Sequence, residues 1–151
     1  MPGVEEVLGR SRTLGFLGPG PIEPQVAHAT AYALALTRAG FDPPRRCADL
    51  GSGGGLPGLV LAGAWPGTEM VLIDGSSRRC AFLEEAVDLL GIDGRTSVRC
   101  GRAEELAREE DLRGGFDLVV ARSFGAPPVL AECAAGFLSP GGHLLVSEPP
   151  E

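Results

Sequence analysis

Read for apolar and polar positions, the chain changes character near residue 46. Before that point, PQVAHATAYALALTRA (24–39) is alanine-rich and mostly apolar, opens at Pro24 and stops before Gly40. Those are helix punctuation marks, and they predict a helix that packs on the rest of the domain. A shorter helix is expected near 4–12. Glycines and prolines at 15 and 18–21 predict an irregular link between the two.

Beyond residue 46, short apolar runs alternate with helical patterns. RCADL (46–50), EMVLID (69–74), TSVRC (96–100), FDLVVAR (116–122) and HLLVSE (143–148) read as strands. Between them, Pro57 can open a helix that GLVLAGAW (58–65) continues. SRRCAFLEEAVDLLG (77–91) is apolar at 82, 83, 86, 87, 89 and 90, a helical period with Gly91 as stop. AEELAREEDL (103–112) reads as a charged, exposed helix. VLAECAAGFL (129–138) reads as a helix ended by the turn SPGG (139–142).

Strands separated by helices imply right-handed crossovers and a parallel sheet covered on both faces. The expected fold class is α/β, Rossmann-like, with five strands in the order 3-2-1-4-5. Residues 1–45 are expected to form a helical segment packed on the sheet, and 46–151 the ligand-binding domain. No internal repeat or low-complexity tract interrupts this pattern.

Composition narrows the functional classes. The chain has 151 residues, enough for one domain with a sizeable core. No apolar run reaches the roughly 18 residues of a membrane span. The start, MPGVEEVLGR, lacks the basic and apolar regions of a secretory signal, so a cytoplasmic protein is expected. The four cysteines, at 47, 80, 100 and 133, form no C-x-x-C pair and fit no zinc spacing. They read as reduced thiols, and no metal site and a monomer are expected. The net charge is −7, and all 13 basic residues are arginine. An acidic chain is a poor general binder of nucleic acid. The candidates for a local basic patch are Arg45–Arg46, Arg78–Arg79 and Arg122.

Candidate chemistry concentrates in ADLGSGGGLPG (48–58), after the first strand. In an open parallel sheet, ligands sit outside the carboxyl ends of the strands where the strand order reverses. Glycines there let a ligand approach the backbone closely, and amides of the loop and following helix face it. The spelling fits both a dinucleotide loop (Gly53-x-Gly55-x-x-Gly58) and a S-adenosylmethionine (SAM) loop (Gly51-x-Gly53-x-Gly55). No G-K-[ST] follows and lysine is absent, which excludes a P-loop. Pro57 lacks an N–H where a pyrophosphate would seek donors. Asp49 repels pyrophosphate but can accept from an ammonium group, which SAM carries. Asp74, at the end of the second strand, can accept from ribose hydroxyls.

DLGSGGGLPG, LID with RRCAFLEE, GRAEE, FDLVVARSFG and LSPGGHLLV together resemble a class I SAM-dependent methyltransferase. More narrowly they resemble the glucose-inhibited division protein B family, which methylates guanine N7 in small-subunit (16S) ribosomal RNA. The resemblance covers roughly residues 46–147. It implies SAM as cofactor and ribosomal RNA or the small ribosomal subunit as partner. It implies that Gly51, Ser52 and Gly53 wrap the methionine part of SAM with Leu56 packing nearby. By the same resemblance Asp74 holds the ribose, and Ala103 and Glu104 meet the adenine. Arg122 would lie by the methyl-transfer centre or the methionine carboxylate. His28 matches an N-terminal helix histidine of the family, but Ala31-Tyr32 stands where Asp-Ser usually follows. The resemblance also implies a sixth and seventh strand beyond Glu148, which this sequence does not contain.

Guanine N7 has a free lone pair and loses no proton, so such an enzyme needs positioning rather than a general base. SEPP (147–150) is similar to the [DNS]-P-P-x motif of amine methyltransferases, but that motif follows the fourth strand and SEPP the fifth. Two alternatives stay open: a methyltransferase of a small molecule or protein, motivated by the acidic balance, and a non-catalytic SAM-binding domain, motivated by the missing strands.

Overall fold

Five short parallel strands carry the fold. The computed structural model describes residues 2–122 and 125–147. In chain order the elements are α1 (Val4–Thr13), α2 (Ile22–Arg38), β1 (Arg46–Leu50), α3 (Gly58–Ala64), β2 (Glu69–Asp74), α4 (Ser77–Leu89), β3 (Thr96–Cys100), α5 (Ala103–Leu106), β4 (Phe116–Arg122), α6 (Pro127–Phe137) and β5 (Leu138–Ser147). The sheet order is β3-β2-β1-β4-β5 and every pairing is parallel, as the alternation predicts. Residue 148, the expected end of the fifth strand, lies outside the described residues.

Burial on both faces explains why the strands read as unbroken apolar runs. Cys47, Met70, Leu72, Leu118 and Val120 face one core, closed by Leu59 and Leu61 of α3, Phe82 and Leu83 of α4, and Tyr32 and Leu36 of α2. Ala48, Leu50, Val71, Ile73, Val119 and Ala121 face the other, closed by α5 and α6 with Leu112 and Phe116. A smaller cluster joins Leu8, Leu17, Ile22 and Ala29 to Leu56 and Val60, and so fixes the N-terminal helices over the glycine loop.

Two expectations are corrected. The acidic stretch 103–112 forms only one helical turn, Ala103–Leu106, followed by turns to Gly114. Glu105 and Glu109 are like charges four residues apart, which disfavours a helix. In turns, Glu109 and Asp111 instead pair with Arg99 of β3, the latter at 2.7 Å, and Leu112 is buried. The second correction concerns SPGG (139–142). It forms an irregularity within β5 rather than a turn before it: Phe116 pairs with Leu138, and the ladder resumes at Leu118 with His143. Gly141 supplies the left-handed backbone this needs (φ 81°).

Candidate functional site

The carboxyl ends of β1, β2 and β4 meet around the loop 51–57. Gly51 and Gly53 both have left-handed backbone (φ 72° and 54°), which lets the chain reverse directly above the sheet. The N–H groups of Gly51 and Ser52 both donate to the Ile73 carbonyl at 2.9 Å. The Ser52 hydroxyl donates to the Asp49 carbonyl (3.1 Å) and accepts from the Ile73 N–H (3.2 Å). Ser52 is therefore a buried brace between β1 and β2.

Two carboxylates hold the loop from either side. Asp74 Oδ2 accepts the Gly53 N–H at 2.8 Å, and Oδ1 accepts the Ser76 N–H at 2.9 Å. Asp49 has no exposed surface; its Oδ2 accepts the Gly58 N–H at 3.0 Å and its Oδ1 has no partner among the described residues. Burial pushes the Asp49 carboxyl up to about 7, against the bond from Gly58 and the charge of Arg122, which favour the ionised form. Gly58 must be glycine for this contact: a Cβ there would lie 2.5 Å from Asp49 Oδ2 and 2.4 Å from Leu72 Cδ2.

Beside the loop, Gly51, Ile73, Asp74, Gly75, Gly101, Arg102, Ala103 and Glu104 line an open cleft of about 210 Å³. Ala103 is buried at the start of α5. Glu104 is exposed; a bond from its own backbone N–H and the nearby Arg102 (2.7 Å) hold its carboxyl below the ordinary range. Arg122 ends β4, half-buried, in register with Ser147 of β5. Leu56 is buried in the cluster beneath the N-terminal helices. The structure thus brings Gly51, Asp74, Ala103 and Glu104 together on one cleft, with Ser52 and Asp49 as its buried support.

His28 is exposed on α2, and its ring meets Tyr32 edge-on at 6.0 Å between centroids. Tyr32 is the buried partner, and the sequence gives it no role. Its hydroxyl donates to the Ala121 carbonyl (2.8 Å) and accepts from the Ser147 hydroxyl (2.8 Å) and N–H (3.2 Å). It bolts α2 to the carboxyl ends of β4 and β5, next to Arg122. Ser76 is likewise missed, although a serine two residues after a strand-end acid is an N-cap signature; it caps α4 through the Arg79 N–H at 3.3 Å. Of the basic candidates, Arg46 lies at the opposite end of the sheet and is engaged there. It stacks on Phe116 (4.4 Å), pairs with Glu69 (3.2 Å) and donates to the carbonyls of Asp111 and Gly115. Ser123 and Phe124, of the ARSF segment, and SEPP beyond Ser147 lie outside the described residues.

Among the described residues no helix is long and apolar enough to cross a membrane. No group of three or more His, Cys, Asp or Glu that could hold a metal occurs among them. The four cysteines are unpaired thiols.

Comparison with known proteins gives one consistent family. Residues 30–148 match the profile of GidB, described as rRNA small subunit methyltransferase G. The chain is 46% identical over 103 residues to ribosomal RNA small subunit methyltransferase G of Prochlorococcus marinus (strain MIT 9303), a match covering 68% of this chain and 42% of that protein. It is 36% identical over 125 residues to the protein of the same name from Moorella thermoacetica, covering 82% and 51%. The matches thus span about two fifths to one half of these relatives' length. Among solved structures, the fold is shared with a SAM-dependent methyltransferase from Thiobacillus denitrificans in complex with S-adenosyl-L-homocysteine (TM-score 0.65, 20% identity, 98% of this chain and 56% of that one). It is shared also with a SAM-dependent methyltransferase from Agrobacterium tumefaciens (TM-score 0.60, 22% identity, 84% and 45%).

Proposed function

Because the chain belongs to the GidB family, rRNA small subunit methyltransferase G, we propose that it binds SAM at the glycine loop and directs methylation of guanine N7 in small-subunit ribosomal RNA. The observation that carries this reading is the two-carboxylate frame of the loop. An acid at the end of β2 borders an open cleft, and a second, buried acid sits behind the loop with one oxygen that has no partner among the described residues. Burial holds the proton on Asp49 up to about 7, and the carboxyl gives that proton up most readily to a cationic group bound nearby, so the frame favours a ligand with a positive charge and disfavours a pyrophosphate. That fits SAM and argues against NAD.

In this reading each residue has a limited task. Gly51, Ser52 and Gly53 present backbone to the methionine part, and Leu56 fixes the loop from beneath. Asp74 takes the ribose hydroxyls while keeping the Gly53 and Ser76 amides in place. Ala103 and Glu104 border the adenine. Asp49 supplies the field that favours the ammonium group and anchors Gly58. Arg122 lies beside the transfer centre, where its charge meets the methionine carboxylate or the acceptor. SAM, when bound, supplies a methyl group activated by a positive sulfur. The acceptor nitrogen loses no proton, so the chain has only to hold donor and acceptor in line. Residues 1–45 serve as the cover over the loop and 46–151 as the SAM-binding domain. The protein acts as a monomer, without metal, in the cytoplasm, where ribosomes are its substrate.

The test is transfer of a labelled methyl group from SAM to isolated small ribosomal subunits, with the product nucleoside identified by mass. Label in 7-methylguanosine supports the reading. Label only in protein or small molecules, or no transfer by a folded, SAM-binding chain, removes it.

A further inference from the structure

The charges on α4 run against its own dipole. Arg78 and Arg79 stand in the first turn, which has no acid, while Glu84, Glu85 and Asp88 fall in the second half, whose last turn has no base. Helix ends favour the opposite arrangement. Neither arginine is needed to cover the core, since both are exposed, and the cap is made by Ser76. The first turn of α4 begins three residues after Asp74, at the ligand edge of the sheet.

A second element delivers positive charge to the same edge. Ser11 at the end of α1 donates to the Gly54 carbonyl at 2.8 Å, and a Cβ on Gly54 would lie 2.5 Å from the Phe16 carbonyl. The link 14–21 therefore lies directly on the glycine loop. Phe16 stacks against Phe82 of α4 (5.7 Å), and the Arg78 guanidinium lies over its ring at 5.5 Å. Arg12, exposed on the same roof, donates to the Gly20 carbonyl at 3.2 Å. Arg10 is paired with Glu85 at 2.6 Å, but Arg12, Arg78 and Arg79 have no carboxylate partner among the described residues. In a chain of net charge −7, this is a local concentration of unneutralised cations.

We propose that Arg78, stacked on Phe16, Arg79 beside it in the first turn of α4, and Arg12 just before the link that carries Phe16 form the rim on which the RNA substrate's phosphate backbone docks. A guanidinium stacked on an aromatic ring is pre-ordered and keeps its N–H edges for phosphate oxygens. Backbone contacts of this kind position a strand without reading its sequence. The rim also reconciles an acidic protein with a polyanionic partner: the overall charge repels RNA, and the rim admits it at one place, beside the loop. This inference rests on the RNA reading above.

Binding of a labelled single-stranded RNA to the full chain, followed from about 50 to 200 mM salt, tests it. Replacing Arg78 and Arg79 together by alanine is expected to weaken RNA binding about 10-fold or more, and to reduce the salt slope by about one per lost phosphate contact. Affinity for S-adenosylhomocysteine should be unchanged, which also shows that the variant folds. Arg79→Gln, which leaves the Phe16 stack intact, serves as the milder variant and should weaken RNA binding several-fold. Arg113→Ala, exposed and before β4, should change nothing. Wild-type affinity and slope in the Arg79→Gln and double variants would overturn the rim alone. Failure of the wild-type chain to bind RNA while it binds S-adenosylhomocysteine would overturn the RNA reading and the rim with it.

Discussion

The Gly58 N–H donates to Asp49 Oδ2 at 3.0 Å, and no side chain could occupy position 58 without displacing that oxygen. The contact ties the last glycine of the loop to the strand that precedes it, and closes the loop from behind. Gly58→Ala forces a methyl group against Asp49 and Leu72, both without slack in the core. Overpacking of this kind costs about 1–3 kcal/mol. Urea denaturation should show a loss in that range, together with weaker binding of S-adenosylhomocysteine. An unchanged midpoint would mean that α3 shifts freely to make room.

Asp49 gives the stability curve a recognisable pH dependence. Its carboxyl is pushed up to about 7 by burial, from the usual 3.8. The native state therefore keeps the proton that the unfolded chain releases. The stabilisation is complete below about pH 4 and is lost as pH rises towards 7, at up to about 1.4 kcal/mol per unit. Asp49→Asn, which keeps an acceptor for Gly58, should remove this slope and leave the variant more stable than wild type at pH 8. Denaturation midpoints of both proteins from pH 4 to 8 decide it; parallel curves would contradict the protonated buried carboxyl.

Asp74 serves two clients, the loop and the ligand. Asp74→Ala removes the acceptor of the Gly53 and Ser76 amides and of the ribose hydroxyls. Affinity for S-adenosylhomocysteine should fall by about 1–3 kcal/mol, the range for losing a charged hydrogen-bond partner. Calorimetry of a folded variant with undiminished affinity would place the ribose elsewhere.

Tyr32 should matter for stability before anything else. Tyr32→Phe keeps the ring and removes three hydrogen bonds to Ala121 and Ser147. The expected cost is about 1–3 kcal/mol, because the Ala121 carbonyl is left buried without this partner. Thermal unfolding measures it. The Tyr32 hydroxyl is also held above its usual titration range, by burial against the opposing bonds from Ser147, so it remains a donor at alkaline pH.

The strands were the most legible part of this chain. Five apolar runs separated by helical periods leave few parallel arrangements, and burial on both faces is what makes those runs continuous. The cleft was legible in part: Gly51 and Asp74 stand at the ends of β1 and β2, whereas Ala103 and Glu104 were implied only by the family resemblance. Three features were not. Tyr32 bonds to groups 89 and 115 residues away, and its main acceptor is a backbone carbonyl, which leaves no trace in sequence. Glu109 and Asp111 look like solvated helix until Arg99 is seen beside them. Asp49 reads from its position as a strand-end acid near the ligand, but its full burial and its bond from the Gly58 amide depend on how the loop folds back and leave no mark in the sequence.

The central claim, that this loop is built for SAM, is tested most directly by calorimetric titration of the chain with S-adenosylhomocysteine, with NAD in parallel. The account predicts saturable one-to-one binding of S-adenosylhomocysteine and none of NAD. Binding of NAD, or of neither ligand by a folded chain, would contradict it.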